Sequence, residues 1–372
     1  MTGHSVLAPS SMARIAQCPG SVSMQAAYPA DGISQAALDG EASHWAAAEM
    51  LAGRLVDVGQ VAPNGVVLTR EMVEGADLYY DDVALTLRAL GRTPADGAIE
   101  RPVPIPRIHA ECFGTPDYAI QIGDTVYVWD YKFGHRVVEV VRNLQLVAYA
   151  LGLVGSADDH GIDVVCRIVQ PRAPHRDGPV REWRFPAADL RGWENILVRA
   201  AAEALGPAPA TRAGPECRDC SARHACPTLQ AAAFDAVAHA GDSIPADVSP
   251  QALGTELRVL RRAAEMLRAR LDGLEQQALS IIQAGKHVPG WAVVRGAGRR
   301  KWTVPDAVVI DMAAMLGVSV AKPVEALTPA QAVRAGLPEA LVDGVSQRVP
   351  GAVSLEVDDG SRARSIFSRG AP

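Results

Sequence analysis

The clearest two-residue rhythm of apolar and polar positions lies between residues 99 and 185. Residues 118–122 and 125–132 are rich in Ile, Val, Tyr and Trp and read as strands, and Gly123-Asp124 between them suits a two-residue hairpin turn. Both faces of this hairpin are largely apolar, which predicts central strands covered by helices on each side. Residues 99–105 open the strand region, and 164–170 and 182–185 extend it. Elsewhere the period is helical. An alanine-rich helix is expected over 40–51 with Asp39 as its N-cap, and further helices over 71–90, 142–154 and 187–204. Residues 1–30 read as irregular, and 206–215 as a loop of Pro, Ala and Gly.

Residues 236–252 read as a linker. A heptad follows at Leu257, Leu260, Ala264, Leu267, Leu271, Leu274, Ala278 and Ile281. It predicts a long helix that packs on another helix, of its own domain or of a second copy, so homo-oligomerisation is a candidate property. Gly285 is placed to cap it and Pro289 prevents its continuation. Residues 291–304 then resemble a hairpin, followed by short helices at 305–316 and 328–335 and a frayed end from 358.

With 372 residues, the chain has room for two or more cores. Hydrophobic residues make up 48% and charged residues 21%, as in ordinary globular proteins. No apolar run approaches the roughly 20 residues of a membrane span, and residues 1–17 lack the features of a secretory signal, so a cytoplasmic protein with no membrane contact is expected. The net charge of −6 does not advertise nucleic-acid binding. Basic stretches occur locally, at Arg258, Arg261, Arg262, Arg268 and Arg270, and at Arg295, Arg299, Arg300 and Lys301. Solvated faces account for such clusters as readily as DNA contact does.

Chemistry concentrates around the first hairpin. If Ile122 faces Thr125, counting back sets Asp117 opposite Asp130, with Cβ atoms about 5 Å apart. Lys132 lies two residues beyond Asp130 and shares its face. Two opposed carboxylates need compensation; a cation is the usual one, and Lys132 is a partial one. Gln145 and Tyr149, four apart on the next helix, share a face. His44 lies on an earlier helix. Singly, each of these residues has a bland structural explanation; their order along the chain is what groups them. Carboxylates hold Mg²⁺ or Mn²⁺ while leaving water sites open, which suits phosphodiester hydrolysis. Asp117 and Asp130 would be primary ligands, with the Tyr131 carbonyl and His44 completing the shell. Lys132 would orient water or stabilise charge, and Gln145 and Tyr149 would contact Lys132 or a phosphate.

Of six cysteines, Cys112 and Cys166 stand in strand-like surroundings and read as buried small hydrophobes. Cys217, Cys220 and Cys226 form Cys-x2-Cys-x5-Cys, and Cys18 lies far upstream. A tight cysteine cluster in a cytosolic chain points to metal rather than disulfides. Zinc, with His224 as a further candidate ligand, and an iron–sulfur cluster with Cys18 as a remote fourth thiolate both remain open from spacing. A remote ligand would staple the N-terminus to a segment about 200 residues later and offset its loop-closure entropy.

Taken together, these motifs resemble the RecB-like branch of the PD-(D/E)XK nuclease superfamily. Gly40-x3-His44 is similar to its Gly-x3-His helix motif, Gly114-Thr115-Pro116-Asp117 to Gly-x-x-Asp, Asp130-Tyr131-Lys132 to Asp/Glu-x-Lys, and Gln145 to Tyr149 to Gln-x3-Tyr. The resemblance covers about residues 1–235. It implies an α/β fold with a restriction-endonuclease-like core, a mixed central sheet flanked by helices, and a [4Fe–4S] staple on Cys18, Cys217, Cys220 and Cys226. A phage and prophage family long catalogued as a domain of unknown function is similar over more of the chain. Its Pro-Gly-Trp and Arg-Lys-Trp signatures resemble Pro289-Gly290-Trp291 and Arg300-Lys301-Trp302, within a mainly helical C-terminal module with a hairpin, residues 253–372. Glu41 departs from that family, which often has Thr there.

The resemblance implies a Mg²⁺- or Mn²⁺-dependent DNA nuclease, an exonuclease of phage recombination or DNA processing in the host cytosol. Its partners would be DNA and a phage single-strand annealing or binding protein. The competing expectation is a catalytically silent DNA-binding or assembly protein that keeps the fold.

Overall fold

The computed structural model describes residues 5–30, 32–154, 161–239 and 249–293, together with the single positions 311 and 315. Two compact units divide the chain, residues 1–294 and 295–372. The hairpin expected over 291–304 lies outside the described residues from 294 onward. So do Arg295, Arg299, Arg300 and Lys301, both short C-terminal helices apart from two single positions, and the end of the chain.

The elements of the first unit are α1 (Met12–Gln17), α2 (Ser21–Ala27), α3 (Gln35–Leu51), α4 (Arg70–Ala89), β1 (Ala98–Ile99), β2 (Val103–Pro104), β3 (Phe113–Gly114), β4 (Tyr118–Ile122), β5 (Thr125–Tyr131), α5 (Leu144–Leu153), β6 (Asp163–Val169), β7 (Val180–Pro186), α6 (Leu190–Ala204), α7 (Pro227–His239) and α8 (Pro250–Gln283). A mixed sheet runs in the order β1-β4-β5-β6-β7, with β5 and β6 parallel and the other pairs antiparallel. β2 and β3 form a separate ribbon.

Alternation along β5 builds the two cores. Val126 and Val128 point to a core closed by α1, α5 and α6 with Ile15, Leu146, Leu151 and Leu197. Trp129 and Tyr131 point to the opposite core, closed by α3 and α4 with Ala46, Tyr79, Val83 and Leu87. Helices on both faces are what the doubly apolar hairpin predicts.

Several boundaries differ from expectation. The N-terminal segment is not irregular: α1 and α2 are six and seven residues long, too short to display a helical period; Met12 and Ile15 of α1 dock into the first core, and Val22 of α2 packs against it. α3 starts earlier than residue 40. Its N-cap is Ser34, whose Oγ accepts the Ala37 N–H at 3.2 Å, while Asp39 accepts from Gln35 within the helix. The strand expected over 99–105 breaks at Glu100, which holds a φ of +44°.

The long helix is present as α8, capped by Ser249, and Gly285 follows its C-terminus with a φ of +80°. It packs on α7 and on the cysteine segment of the same unit. The face used is not the leucine heptad, since Leu260, Leu271 and Leu274 are exposed. Ala269 and Gly273 make the contact instead. A Cβ on Gly273 would fall 2.6 Å from Arg223 Cγ and 2.9 Å from the His224 nitrogen, so only glycine permits this approach. Arg270 donates to the His224 carbonyl across the same seam. Thus α8, expected to open the accessory module, belongs to the first unit, and the boundary expected after residue 235 falls inside α7. No described helix is long and apolar enough to cross a membrane.

Candidate functional site

The register of β4 on β5 pairs Ile122 with Thr125 and Tyr118 with Trp129, so Asp117 and Asp130 are the next facing positions. Gly114 lets the turn before β4 close. A Cβ there would lie 2.4 Å from Pro9 Cγ and 2.9 Å from Tyr149 Cε1, so the glycine of Gly-x-x-Asp is a packing requirement. For Gly40 no atom lies near an added Cβ, and the structure gives no packing reason for it.

Asp117 is held from two sides. Its Oδ2 accepts the Tyr131 N–H at 2.5 Å, and its Oδ1 lies 3.1 Å from His44 Nδ1. Glu100 joins them. Its N–H donates to the Asp117 carbonyl at 3.1 Å, and its carboxyl lies close enough to feel the Asp117 charge. One ligand atom from each of His44, Glu100 and Asp117 lies within 4.8 Å of the other two. These three residues face an open groove that also carries Trp45, Glu49 and Arg54.

Asp130 is 2% exposed. Its Oδ1 accepts from Lys132 Nζ at 3.1 Å and from Gln145 Nε2 at 3.0 Å. Its Oδ2 lies 2.9 Å from Lys132 Nζ but has no aligned hydrogen bond. Lys132 also donates to Gln145 Oε1 at 3.1 Å, and Gln145 Nε2 donates to Tyr149 Oη at 3.2 Å. Tyr149 in turn donates to the Thr115 carbonyl at 3.0 Å. α5 can present Gln145 here because Asn143 caps it, accepting the Gln145 and Leu146 N–H groups.

The electrostatics follow from crowding. Burial works against ionising Asp117, but His44, Lys132 and the Tyr131 N–H outweigh it and hold its carboxyl below the usual range. Burial and then the Asp117 charge push Glu100 up to about 7. Asp130 is raised, chiefly by burial, with Lys132 opposing. Burial disfavours the Lys132 ammonium, yet Asp130 and Asp117 raise its pKa overall. In His44, burial is likewise overcome by Asp117 and the net shift is upward. Glu100 is thus the carboxyl that favours its proton, beside an Asp117 that favours its charge.

The ligand set expected from sequence was His44, Asp117, Asp130 and the Tyr131 carbonyl. His44 and Asp117 do stand together, but Glu100 is the third member of the tight group, while Asp130 is engaged by Lys132 and Gln145. Glu100 was missed because residues 99–105 read as one continuous strand. The only local signal of its turn is Pro102 two residues on.

Cys18, Cys217, Cys220 and Cys226 line one cavity between the end of α1 and the two 3₁₀ turns Pro215–Asp219 and Ser221–His224. The Arg212 N–H donates to Cys18 Sγ and the Gly214 N–H to Cys217 Sγ, both at 3.3 Å. His224 turns away, with Nδ1 3.1 Å from the Ser221 carbonyl and its ring edge-on to Tyr28. Cys112 and Cys166 are buried in the first core. Arg136, in the loop after Lys132, donates to both carboxylate oxygens of Asp219 at 3.0 and 2.9 Å and so ties that loop to the cysteine turn.

A family model described as "Protein of unknown function (DUF2800)" matches residues 4–331. A solved structure described as "Crystal structure of SSO0001" is similar at 14% sequence identity and a TM-score of 0.29, over 58% of this chain and 85% of that one.

Proposed function

The chain belongs to the DUF2800 family of proteins of unknown function, and from that premise we propose that it is a metal-dependent deoxyribonuclease that hydrolyses phosphodiester bonds. The observation that carries this reading is the meeting of His44, Glu100 and Asp117 within 4.8 Å beside the Asp130–Lys132–Gln145 triad. Three neighbouring carboxylates, one of them pushed toward its protonated form by another and one with a buried oxygen that lacks an aligned bond, fit a divalent cation.

His44, Glu100 and Asp117 would hold that ion, with Asp130 Oδ2 as the acceptor left over. A bound Mg²⁺ or Mn²⁺ would supply an activated water and a counter-charge for the phosphate. Lys132 stays protonated at neutral pH, given its raised pKa, so it acts as a donor to water or to a phosphate oxygen and not as a base. Gln145 and Tyr149 orient that ammonium. Action on DNA ends during phage recombination is the part of the reading carried by the resemblance to recombination nucleases.

The cysteine cavity fits an iron–sulfur cluster better than zinc. What supports this is the donor set: three local cysteines and the remote Cys18 share the cavity, while His224, the further candidate zinc ligand, is turned to the Ser221 carbonyl.

The test is digestion of linear duplex DNA with Mn²⁺ by anaerobically prepared wild type and Asp130→Asn. Cleavage by the first and not the second is expected. DNA binding without metal-dependent cleavage by the wild type would replace this reading with a silent binding protein.

A further inference from the structure

Four buried polar atoms that lack a hydrogen-bond partner belong to residues around a single cavity. They are Arg14 Nε, Gln17 Nε2, Ser21 Oγ and Arg223 Nε, and their residues line the space shared by the four cysteines. Buried donors are almost always paired, so a group of four on one cavity asks for an acceptor. Three of these side chains are also fixed by their other ends. Arg14 donates from Nη1 to the Asp219 carbonyl at 3.2 Å and from Nη2 to Ser11 Oγ at 3.0 Å. Arg223 donates from Nη1 to the Arg218 carbonyl at 2.6 Å and from Nη2 to Gln276 Oε1 at 2.9 Å. Gln17 Oε1 accepts the Glu216 N–H at 3.1 Å. Ser21 is 2% exposed. These groups cannot turn to water without breaking those contacts.

We propose that Arg14, Gln17, Ser21 and Arg223 are positioning residues that donate hydrogen bonds to the sulfur atoms of an anionic iron–sulfur cluster held by Cys18, Cys217, Cys220 and Cys226, and that they raise its reduction potential; this rests on the cluster reading above. Zinc would offer only thiolates as acceptors, and two of those already receive the Arg212 and Gly214 N–H groups. Bridging sulfides supply the additional acceptors that four more donors require. Hydrogen bonds to sulfur and nearby positive charge both favour the more negative, reduced state, and two of the four donors are guanidinium groups. α8 takes part through Gln276, which holds Arg223 in place.

The experiment compares the full-length wild type with Ser21→Ala and Gln17→Glu, all prepared anaerobically. Iron and sulfide are measured, and the cluster's midpoint potential is determined by spectroelectrochemical titration. Gln17→Glu keeps the acceptor for the Glu216 N–H, removes the amide donor and adds negative charge. The expected result is unchanged iron and sulfide, with the reduction equilibrium constant lowered at least about threefold in each variant, about 30 mV for a one-electron couple. The larger fall is expected in Gln17→Glu. A wild type that carries zinc, or no iron, overturns the cluster reading and the donor ring with it. A wild type with full iron and sulfide, and variants whose potentials do not move, leaves the cluster standing and overturns the donor ring alone. Should both variants load poorly, resonance Raman of their cluster-bearing fraction decides, because the Arg212 and Gly214 N–H groups contribute a D₂O shift common to all three proteins: a smaller D₂O shift of the Fe–S stretching bands in the variants than in the wild type supports the ring, and an equal shift overturns it.

Discussion

Gln145 Oε1 accepts a hydrogen bond from Lys132 Nζ at 3.1 Å, while Gln145 Nε2 donates to Asp130 Oδ1 at 3.0 Å, so one amide fixes both members of the ion pair. Gln145→Leu frees the ammonium without touching His44, Glu100 or Asp117. The expected result is a fall in kcat of roughly 10²-fold, the cost of misplacing a catalytic group by about 1 Å. Mn²⁺ affinity, read by calorimetry, should change little. Weakened Mn²⁺ binding with kcat intact at saturating Mn²⁺ would assign Gln145 to the metal shell instead.

Glu100 gives the proposed metal centre a proton to lose. Burial and Asp117 hold its carboxyl at about 7, above the usual carboxylate range, so near neutral pH part of the population carries a proton where the cation must bind. Mn²⁺ affinity should therefore rise with pH between about 6 and 8 and level off above it. Glu100→Gln should make that rise shallower, leaving the part that comes from deprotonating His44, and weaken binding by about tenfold or more. Parallel pH profiles for the two proteins would remove Glu100 from the site.

Gly114 sits where a methyl group would collide with Pro9 Cγ at 2.4 Å. Gly114→Ala should cost about 1–3 kcal/mol through overpacking, seen as a lowered thermal midpoint. Because the same turn positions Asp117, activity should fall even well below the melting range. Gly40→Ala, with open space around its Cβ, should be near neutral for stability.

Cys112 is a buried thiol pushed up to about 11 by desolvation. Its folded pKa lies above the unfolded value of about 8.5. Its contribution is fully present below about pH 8.5 and is lost as pH rises toward 11, because only the unfolded chain can ionise it. Urea midpoints measured at pH 8 and pH 10 should fall less for Cys112→Ala than for the wild type. Equal falls would show that the thiol ionises without unfolding.

The β4–β5 hairpin was legible from local chemistry alone. Gly123-Asp124 selects the turn, the turn selects the register, and the register fixes Asp117 against Asp130 without reference to the rest of the chain. Doubly apolar strands likewise announced the helices on both faces, and the spacing of Gln145 and Tyr149 placed them on one side of α5. Glu100 could not be found that way. Its turn to a φ of +44° and its bond to Asp117 arise from how β1 meets β4, two segments whose contact no local rhythm encodes. The docking face of α8 was also decided in three dimensions. Eight heptad positions marked a stripe by hydrophobicity, yet the helix seats through Ala269 and Gly273, because the cysteine turn leaves room for a backbone and none for a leucine. Periodicity reports which residues prefer to leave water; which surface receives them is set by steric fit between segments far apart in the chain.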